Sequence, residues 1–418
     1  MNIHVSKGKL KGTINATASK SLTHRALIAA SLSFGESYIK NPLFSEDTLQ
    51  TIEILKHLGI VFQTRLDHIS VNGGSIKHAN HPLFAHESGS TLRFLIPVAL
   101  LTGEEEHFVL SESLSRRPMH TYETLFIQRG IYYHKENENI FVKGPLFPGE
   151  YIIPGDVSSQ FISGLIFVLP LLNEDSEIVI TGVFESRSYV LLTVQVLKAF
   201  GIHIDIKDSS IYIRGNQSYQ PTQFLVEGDF SQAAFFLVAS ALGHDVRLSG
   251  LNLDSLQGDK KIINFLEAFG SLFEDNDGEI SFKEDKQKDI TIDITDTPDL
   301  GPILFVLAAL SSKPVKITGT KRLKYKESDR ITAMCKNLRK TGAKFRVSHN
   351  EIQFRPSKLK GGVVVDSFND HRVAMSLSIL ATFLEGGLTI KGAECVNKSY
   401  PTFYIDFMSL GGEVSEVE

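Results

Sequence analysis

Six segments of the chain place apolar residues at three- and four-residue spacing, and each runs into a glycine. They are TLQTIEILKHLG ending at Gly59, TYETLFIQRG at Gly130, VLLTVQVLKAFG at Gly201, KIINFLEAFG at Gly270, ITAMCKNLRKTG at Gly342 and TFYIDFMSLG at Gly411. This spacing is the helical period, so it predicts six amphipathic helices with one polar face each. The closing glycine suits the left-handed conformation that ends a helix. The glycines recur at intervals of roughly seventy residues, longer than the roughly 20–50 residues of a thin solenoid.

A second series keeps the same rhythm. It begins near Ser21, Ser90, Ser159, Ser231, Asp299 and Asp370, residues suited to capping a helix. The runs that follow are ALIAASL, FLIPVALL, FISGLIFVLPLL, AAFFLVASAL, ILFVLAAL and VAMSLSILA. Helices apolar nearly all round belong inside, and the glycine-ended helices outside. Short β-branched runs such as YIIP, EIVITG, IHIDIKDSSIYIRG, VRLSG, VKITG, GVVVDS and LTIKG read as strands bounded by glycine turns. The unit is then βαβαββ, present six times. Three such units suffice for one core, so the pattern predicts an α/β (α+β) chain of two domains.

A length of 418 residues agrees with two or three domains. A net charge of −5 argues against nucleic acid or an anionic membrane as partner. The two cysteines, Cys335 and Cys395, imply no disulfide framework and suit a reducing cytosol. MNIHVSKGKLKG lacks the apolar core of a signal peptide, and Phe161 to Leu172 is too short to span a bilayer. There is no Gly-Lys-Ser/Thr phosphate loop, no GxGxxG after a strand, and no HExxH, CxxC or GxSxG. No metal site is suggested. Any phosphate must be held by helix N-termini and basic side chains.

Cations stand where helices begin, against the helix dipole. In KESDRITAM, Ser328 or Asp329 reads as an N-cap and Arg330 falls in the first turn. SESLSRRPM ends in Arg116, Arg117 and a proline, and SKSLTHR carries Lys20 and Arg25. Each such cation costs about 0.3–1 kcal/mol. Taken singly, these are N-caps with surface cations: Asp299 caps a helix over Ile303–Leu310, His371 is a cap histidine and Cys335 is packed. Taken together, Ser19-Lys20-Ser21, Ser90 with Arg93, Ser158-Ser159-Gln160, Asp299 and Asp370-His371-Arg372 repeat one device at equivalent points. Backbone N–H groups, hydroxyls and basic side chains make an anion cradle, so the repeats predict a shared site for a multiply charged substrate.

In order along the chain, SKSLTHRA, SGSTLRF, LSRRPM, GDVSSQF, YKESDRI, FNDHRVAM and NKSYPTF resemble the 5-enolpyruvylshikimate-3-phosphate synthase family over nearly the whole length. The resemblance implies a two-domain inverted α/β barrel or prism, each domain built from three βαβαββ units. It puts residues 19–226 in one domain and 1–18 with 227–418 in the other, with the active site in the cleft between them. It implies transfer of the enolpyruvyl group of phosphoenolpyruvate to the 5-hydroxyl of shikimate 3-phosphate, on the way to chorismate and the aromatic amino acids. No metal or organic cofactor is implied, and the protein should be a cytoplasmic monomer. Carried over by motif, Lys20, Ser21, Arg25, Ser158, Ser159, Gln160, Ser186, Tyr189, Asp299 and Lys326 would hold shikimate 3-phosphate. Lys20, Gly89, Arg117, Gln160, Arg330, Arg372 and Lys398 would hold phosphoenolpyruvate. Lys20, Asp299, Glu327 and His371 would be catalytic: Asp299 as hydroxyl base, Glu327 with Lys20 at the methylene carbon, His371 as orienter.

Several positions depart from the family pattern. Thr17-Ala18 replaces Pro-Gly, Glu87 replaces an asparagine, Phe94 a proline and Arg322 an asparagine. Two other readings stand beside the first. One is the sister reaction on UDP-N-acetylglucosamine, whose family carries a reactive cysteine where this chain has SLSRRPM. The other is a non-catalytic anion-binding paralogue disabled by Glu87. An RNA-cyclase-type chain is disfavoured by the acidic charge and the ordered motifs.

Overall fold

The computed structural model describes residues 1–65 and 67–417. Leu66 and Glu418, one in each expected domain, lie outside the described residues. The helices are α1 (Lys20–Leu32), α2 (Glu46–His57), α3 (Gly89–Ala99), the short α4 (Glu112–Ser115), α5 (His120–Gln128), α6 (Ser159–Val168) and α7 (Arg187–Ala199). They continue with α8 (Phe230–Ala241), α9 (Lys261–Phe269), α10 (Gly301–Leu310), α11 (Arg330–Lys340), α12 (His371–Ala381) and α13 (Phe403–Ser409).

Both helical series form. α2, α5, α7, α9, α11 and α13 stop just before the six glycines, and all six glycines have positive φ, from 69° at Gly130 to 113° at Gly270. L side chains rarely adopt such a positive φ, which is why glycine suits the close of each outer helix. In α10 every residue from Gly301 to Ala309 is buried, whereas α9 buries only Ile262, Leu266 and Phe269. The inner helices are thus enclosed and the outer ones one-sided.

The caps correct the expected starts. Ser19, Ser88 and Asp229, not Ser21, Ser90 and Ser231, accept the first-turn N–H bonds of α1, α3 and α8. Each has extended backbone geometry, which lets its side chain fold back onto the turn. Asp299 caps nothing. It sits in a 3₁₀ turn, Pro298–Leu300, that leads into α10, and its carboxylate is drawn to cations instead.

The strands form six four-stranded sheets among the described residues. In one, Gly149–Pro154 pairs in parallel with Ser176–Thr181, which is antiparallel to Ser210–Ile213, itself hairpinned to Ile204–Lys207. Others are completed out of chain order. Gln223–Leu225 runs parallel to Gly35–Lys40, and Lys11–Asn15 runs parallel to Asp245–Ser249. Asn2–Val5 inserts between Leu388–Lys391 and Val414–Val417.

The chain divides into two compact units: Ala18–Glu227, and Met1–Thr17 with Gly228–Glu418. Each has its own apolar core. The first is centred on α1, α3 and α6, the second on α8, α10 and α12. Leu304, in the second core, is fully buried. Truncating such a side chain to alanine costs about 2–5 kcal/mol.

Candidate active site

In the unit Ala18–Glu227, polar groups gather at the starts of α1, α3 and α6. Lys20 opens α1, and its ammonium donates to Asp47 Oδ2 at 2.7 Å. One turn on, Arg25 is buried; its Nε donates to Thr193 Oγ1 at 2.8 Å, Nη1 to the Ser21 carbonyl at 2.8 Å and Nη2 to the Tyr189 carbonyl at 3.1 Å. Burial brings the Arg25 pKa down to about 10, still a cation at neutral pH. Ser186 precedes α7 in the left-handed region, at φ 54°. A serine there is strained and is held by its surroundings.

Gly89 begins α3, and a β-carbon on it would lie 3.0 Å from Arg93 Nη1, 3.2 Å from Arg117 Nη1 and 3.7 Å from Gln160 Oε1. Gly89, Arg93, Arg117 and Gln160 therefore converge. Arg93 Nη1 donates to Gln160 Oε1 at 2.7 Å, which turns Gln160 Nε2 toward Ser90 Oγ at 2.8 Å. Ser158 caps α6 and accepts from Gln160 N. The group carries Lys20, Arg25, Arg93 and Arg117 beside three helix N-termini, the chemistry of an anion site.

In the other unit the cluster is ionic. Arg330 has no exposed surface. Its Nε donates to Asp370 Oδ2 at 2.8 Å, Nη1 to Asp299 Oδ1 at 2.8 Å, and Nη2 to Glu327 Oε2 at 2.5 Å and Asp370 Oδ1 at 3.3 Å. Lys326 Nζ lies 3.0 Å from Asp299 Oδ1, and Arg372 Nη2 lies 3.5 Å from Asp299 Oδ2. Lys398 Nζ donates to the Asn369 carbonyl at 2.8 Å. His371 is buried at the start of α12.

The electrostatics follow from this crowding. Burial by itself would raise the Asp299 carboxyl, but Arg372, Lys326 and Arg330 outweigh it and hold the group well below the usual range. Burial lowers the Lys326 ammonium; Asp299 opposes this, and Arg330 and Arg322 add to it. For Arg330, burial is overcome by Asp370, Glu327 and Asp299, which raise its pKa.

Each expected site residue falls in one of these two groups. Lys20, Ser21, Arg25, Gly89, Arg117, Ser158, Ser159, Gln160, Ser186 and Tyr189 lie in the first unit, and Asp299, Lys326, Glu327, Arg330, His371, Arg372 and Lys398 in the second. Three supporting residues carried no expected substrate contact or catalytic role: Arg93 and Asp370, named only as parts of the shared anion cradle, and Asp47, not named at all. Arg93 lies four positions after Gly89, on the same helix face, and that spacing was the available signal. Asp370 stands within FNDHRVAM and doubles as the α12 cap. Asp47 belongs to outer helix α2, and nothing in its local sequence marks it. Cys335 and Cys395 are buried, which pushes their thiols up to about 11 and about 12. Neither lies in the segment Ser111 to Met119. Among the described residues, no group of three or more His, Cys, Asp or Glu side chains is arranged to hold a metal ion, and no helix is long and apolar enough to cross a membrane.

The fold is that of an enolpyruvyl transferase. It matches the enolpyruvyl transferase NikO from Streptomyces tendae with a TM-score of 0.82 at 15% identity, over 100% of this chain and 98% of that one. It matches an EPSP synthase from Acinetobacter baumannii with a TM-score of 0.82 at 24% identity, over 99% and 100%. Residues 5–407 match the EPSP synthase (3-phosphoshikimate 1-carboxyvinyltransferase) family. A 3-phosphoshikimate 1-carboxyvinyltransferase of Clostridium perfringens is 42% identical over 98% of each chain. That of Clostridium acetobutylicum is 43% identical over 97% of this chain and 96% of its own. The chain belongs to the EPSP synthase family.

Proposed function

We propose that this chain transfers the enolpyruvyl (carboxyvinyl) group of phosphoenolpyruvate to the 5-hydroxyl of shikimate 3-phosphate and releases phosphate, within the shikimate pathway. The observation that carries the chemistry is Asp299, a partly buried carboxylate kept ionised by Arg372, Lys326 and Arg330. Both substrates are polyanions, and they account for cations at helix starts that the helices themselves disfavour.

In the first step the 5-hydroxyl gives its proton to Asp299 while its oxygen bonds to C2 of the enol. The C2–C3 π pair takes a proton at C3 from Glu327, which works there with Lys20. In the second step C3 returns a proton, the double bond re-forms, and the C2–O bond to phosphate breaks with its electron pair leaving on phosphate. Positioned acid–base groups contribute about a hundred- to ten-thousand-fold to such steps. Two of the cations that depress Asp299, Arg330 and Arg372, are assigned to phosphoenolpyruvate. When Arg330 and Arg372 pair with the substrate carboxylate, their field on Asp299 weakens and its basicity rises.

The residues drawn on are Lys20, Ser21, Arg25, Ser158, Ser159, Gln160, Ser186, Tyr189, Asp299 and Lys326 for shikimate 3-phosphate. Lys20, Gly89, Arg117, Gln160, Arg330, Arg372 and Lys398 serve phosphoenolpyruvate, and His371 orients Glu327 or the phosphate region. The reaction needs no metal or organic cofactor, and the protein works as a cytoplasmic monomer. The test is phosphate release by the purified protein from both substrates, with UDP-N-acetylglucosamine as the alternative acceptor. Release with the shikimate acceptor only, abolished by Glu327→Gln and by Asp299→Ala, supports the reading. Release with the nucleotide sugar instead would replace it with the sister reaction.

A further inference from the structure

Two inner helices start with related sequences. α6 begins within Gly155-Asp156-Val157-Ser158-Ser159-Gln160, and α8 within Gly228-Asp229-Phe230-Ser231-Gln232. Both glutamines lie in a first helical turn. The Gln160 amide is engaged at both ends, by Arg93 and Ser90. Gln232 differs. It is 1% exposed, and neither Oε1 nor Nε2 has a hydrogen-bond partner among the described residues. Ser231 Oγ, at 7% residue exposure, is in the same position. Buried amides are rarely left this way, because desolvation is costly unless a partner arrives.

The surroundings indicate the partner. Asp229 Oδ1 accepts from the backbone N–H of Ser231 at 2.8 Å and of Gln232 at 3.1 Å, which fixes this turn. The Ser231 carbonyl accepts from Arg372 Nη1 at 3.5 Å, and the same Nη1 donates to the Asp299 carbonyl at 3.1 Å. The Arg372 guanidinium thus touches the backbone of the turn that carries the unbonded Ser231 hydroxyl and Gln232 amide, at the positive end of a twelve-residue helix.

We infer that Gln232 and Ser231 contact the enolpyruvyl donor, their N–H and O–H donating to the carboxylate that Arg372 holds. This rests on the transfer reading above and adds two residues to it. The informative variant is Gln232→Leu, which keeps the volume and removes the amide; Ser231→Ala is the second. Phosphate release is measured against phosphoenolpyruvate at saturating shikimate 3-phosphate. Phosphoenolpyruvate affinity is measured by calorimetry in the presence of shikimate 3-phosphate, and melting temperature without ligands.

Gln232→Leu is expected to raise KM and Kd for phosphoenolpyruvate about tenfold, the loss of one hydrogen bond to a charged group. KM for shikimate 3-phosphate should be unchanged. The unliganded melting temperature should be equal or higher, since an unpaired amide has been replaced by an apolar isostere. Ser231→Ala should raise KM about threefold. Unchanged phosphoenolpyruvate affinity in both variants would mean that water serves these groups, and would overturn the inference. So would a lowered melting temperature with both KM values raised, which marks a structural role. A wild type that binds phosphoenolpyruvate but releases no phosphate would remove the transfer reading alone, and the affinities of the variants would still decide this one.

Discussion

Arg330 and Asp370 are forty positions apart, both without exposed surface, and joined by Nε donating to Oδ2 at 2.8 Å and Nη2 to Oδ1 at 3.3 Å. Asp370 also accepts the Arg372 N–H and the Ser328 hydroxyl, so one carboxylate orients the guanidinium, caps α12 and steadies the turn before α11. Asp370→Ala should therefore destabilise the fold by about 3–5 kcal/mol, the cost of leaving a buried charge without its partner. Urea denaturation measures this. A loss under about 1 kcal/mol would mean that water reaches Arg330 readily.

Asp299 should dominate turnover. Asp299→Ala is expected to lower kcat about a hundred- to ten-thousand-fold with the fold intact by circular dichroism. The pH dependence has a definite sign. The folded carboxyl lies below its unfolded value, so its contribution to stability is full above the unfolded pKa and is lost as pH falls through the folded one. The stability gap between wild type and Asp299→Asn should stay constant from neutral pH down to about 4 and narrow below it.

His244 should set an earlier acid limb. Its Nδ1 accepts from the Leu10 N–H at 3.0 Å, so Nε2 carries the hydrogen and donates to Thr382 Oγ1 at 2.9 Å. Burial, with Lys9 adding to it, lowers its pKa from 6.5 to about 4. The unfolded chain then binds the extra proton first, so stability falls as pH drops from 6.5 to about 4 and levels off below. The loss is on the order of 3 kcal/mol. His244→Asn should be less stable at pH 7 and lack this slope. An identical slope in the variant would assign it elsewhere.

Gly89→Ala should leave the fold intact and weaken phosphoenolpyruvate binding. The added carbon meets the guanidinium ends of Arg93 and Arg117 at 3.0 and 3.2 Å, not backbone, so the side chains shift to make room. KM for phosphoenolpyruvate is expected to rise about tenfold, as for one lost charge-assisted contact. An unchanged KM would show that Arg117 does not depend on its position beside Gly89.

The six repeats were legible because their signals are local. A helix that ends in a left-handed residue needs glycine within that segment, and an enclosed helix must be apolar on every face. The positive φ at all six closing glycines and the buried faces of α10 follow from such short-range rules. The caps slipped by one or two residues because several serines in SKS and SGS are chemically able to cap, and only the backbone angle selects one.

What the sequence by itself determined was the inventory: six βαβαββ units, two helical series, and basic and acidic groups concentrated at helix starts. Tertiary structure alone decided which strand completes which sheet, since Lys11–Asn15 pairs with Asp245–Ser249 far along the chain. It also decided that Asp299 answers Lys326, Arg330 and Arg372 instead of capping α10, that Lys20 meets Asp47, and that Gln232 stays unbonded where Gln160 is held. The physical reason is range. Helical periodicity and backbone angles are set within a few residues, whereas the charge state and partners of a buried side chain depend on groups that only folding brings within a few ångströms.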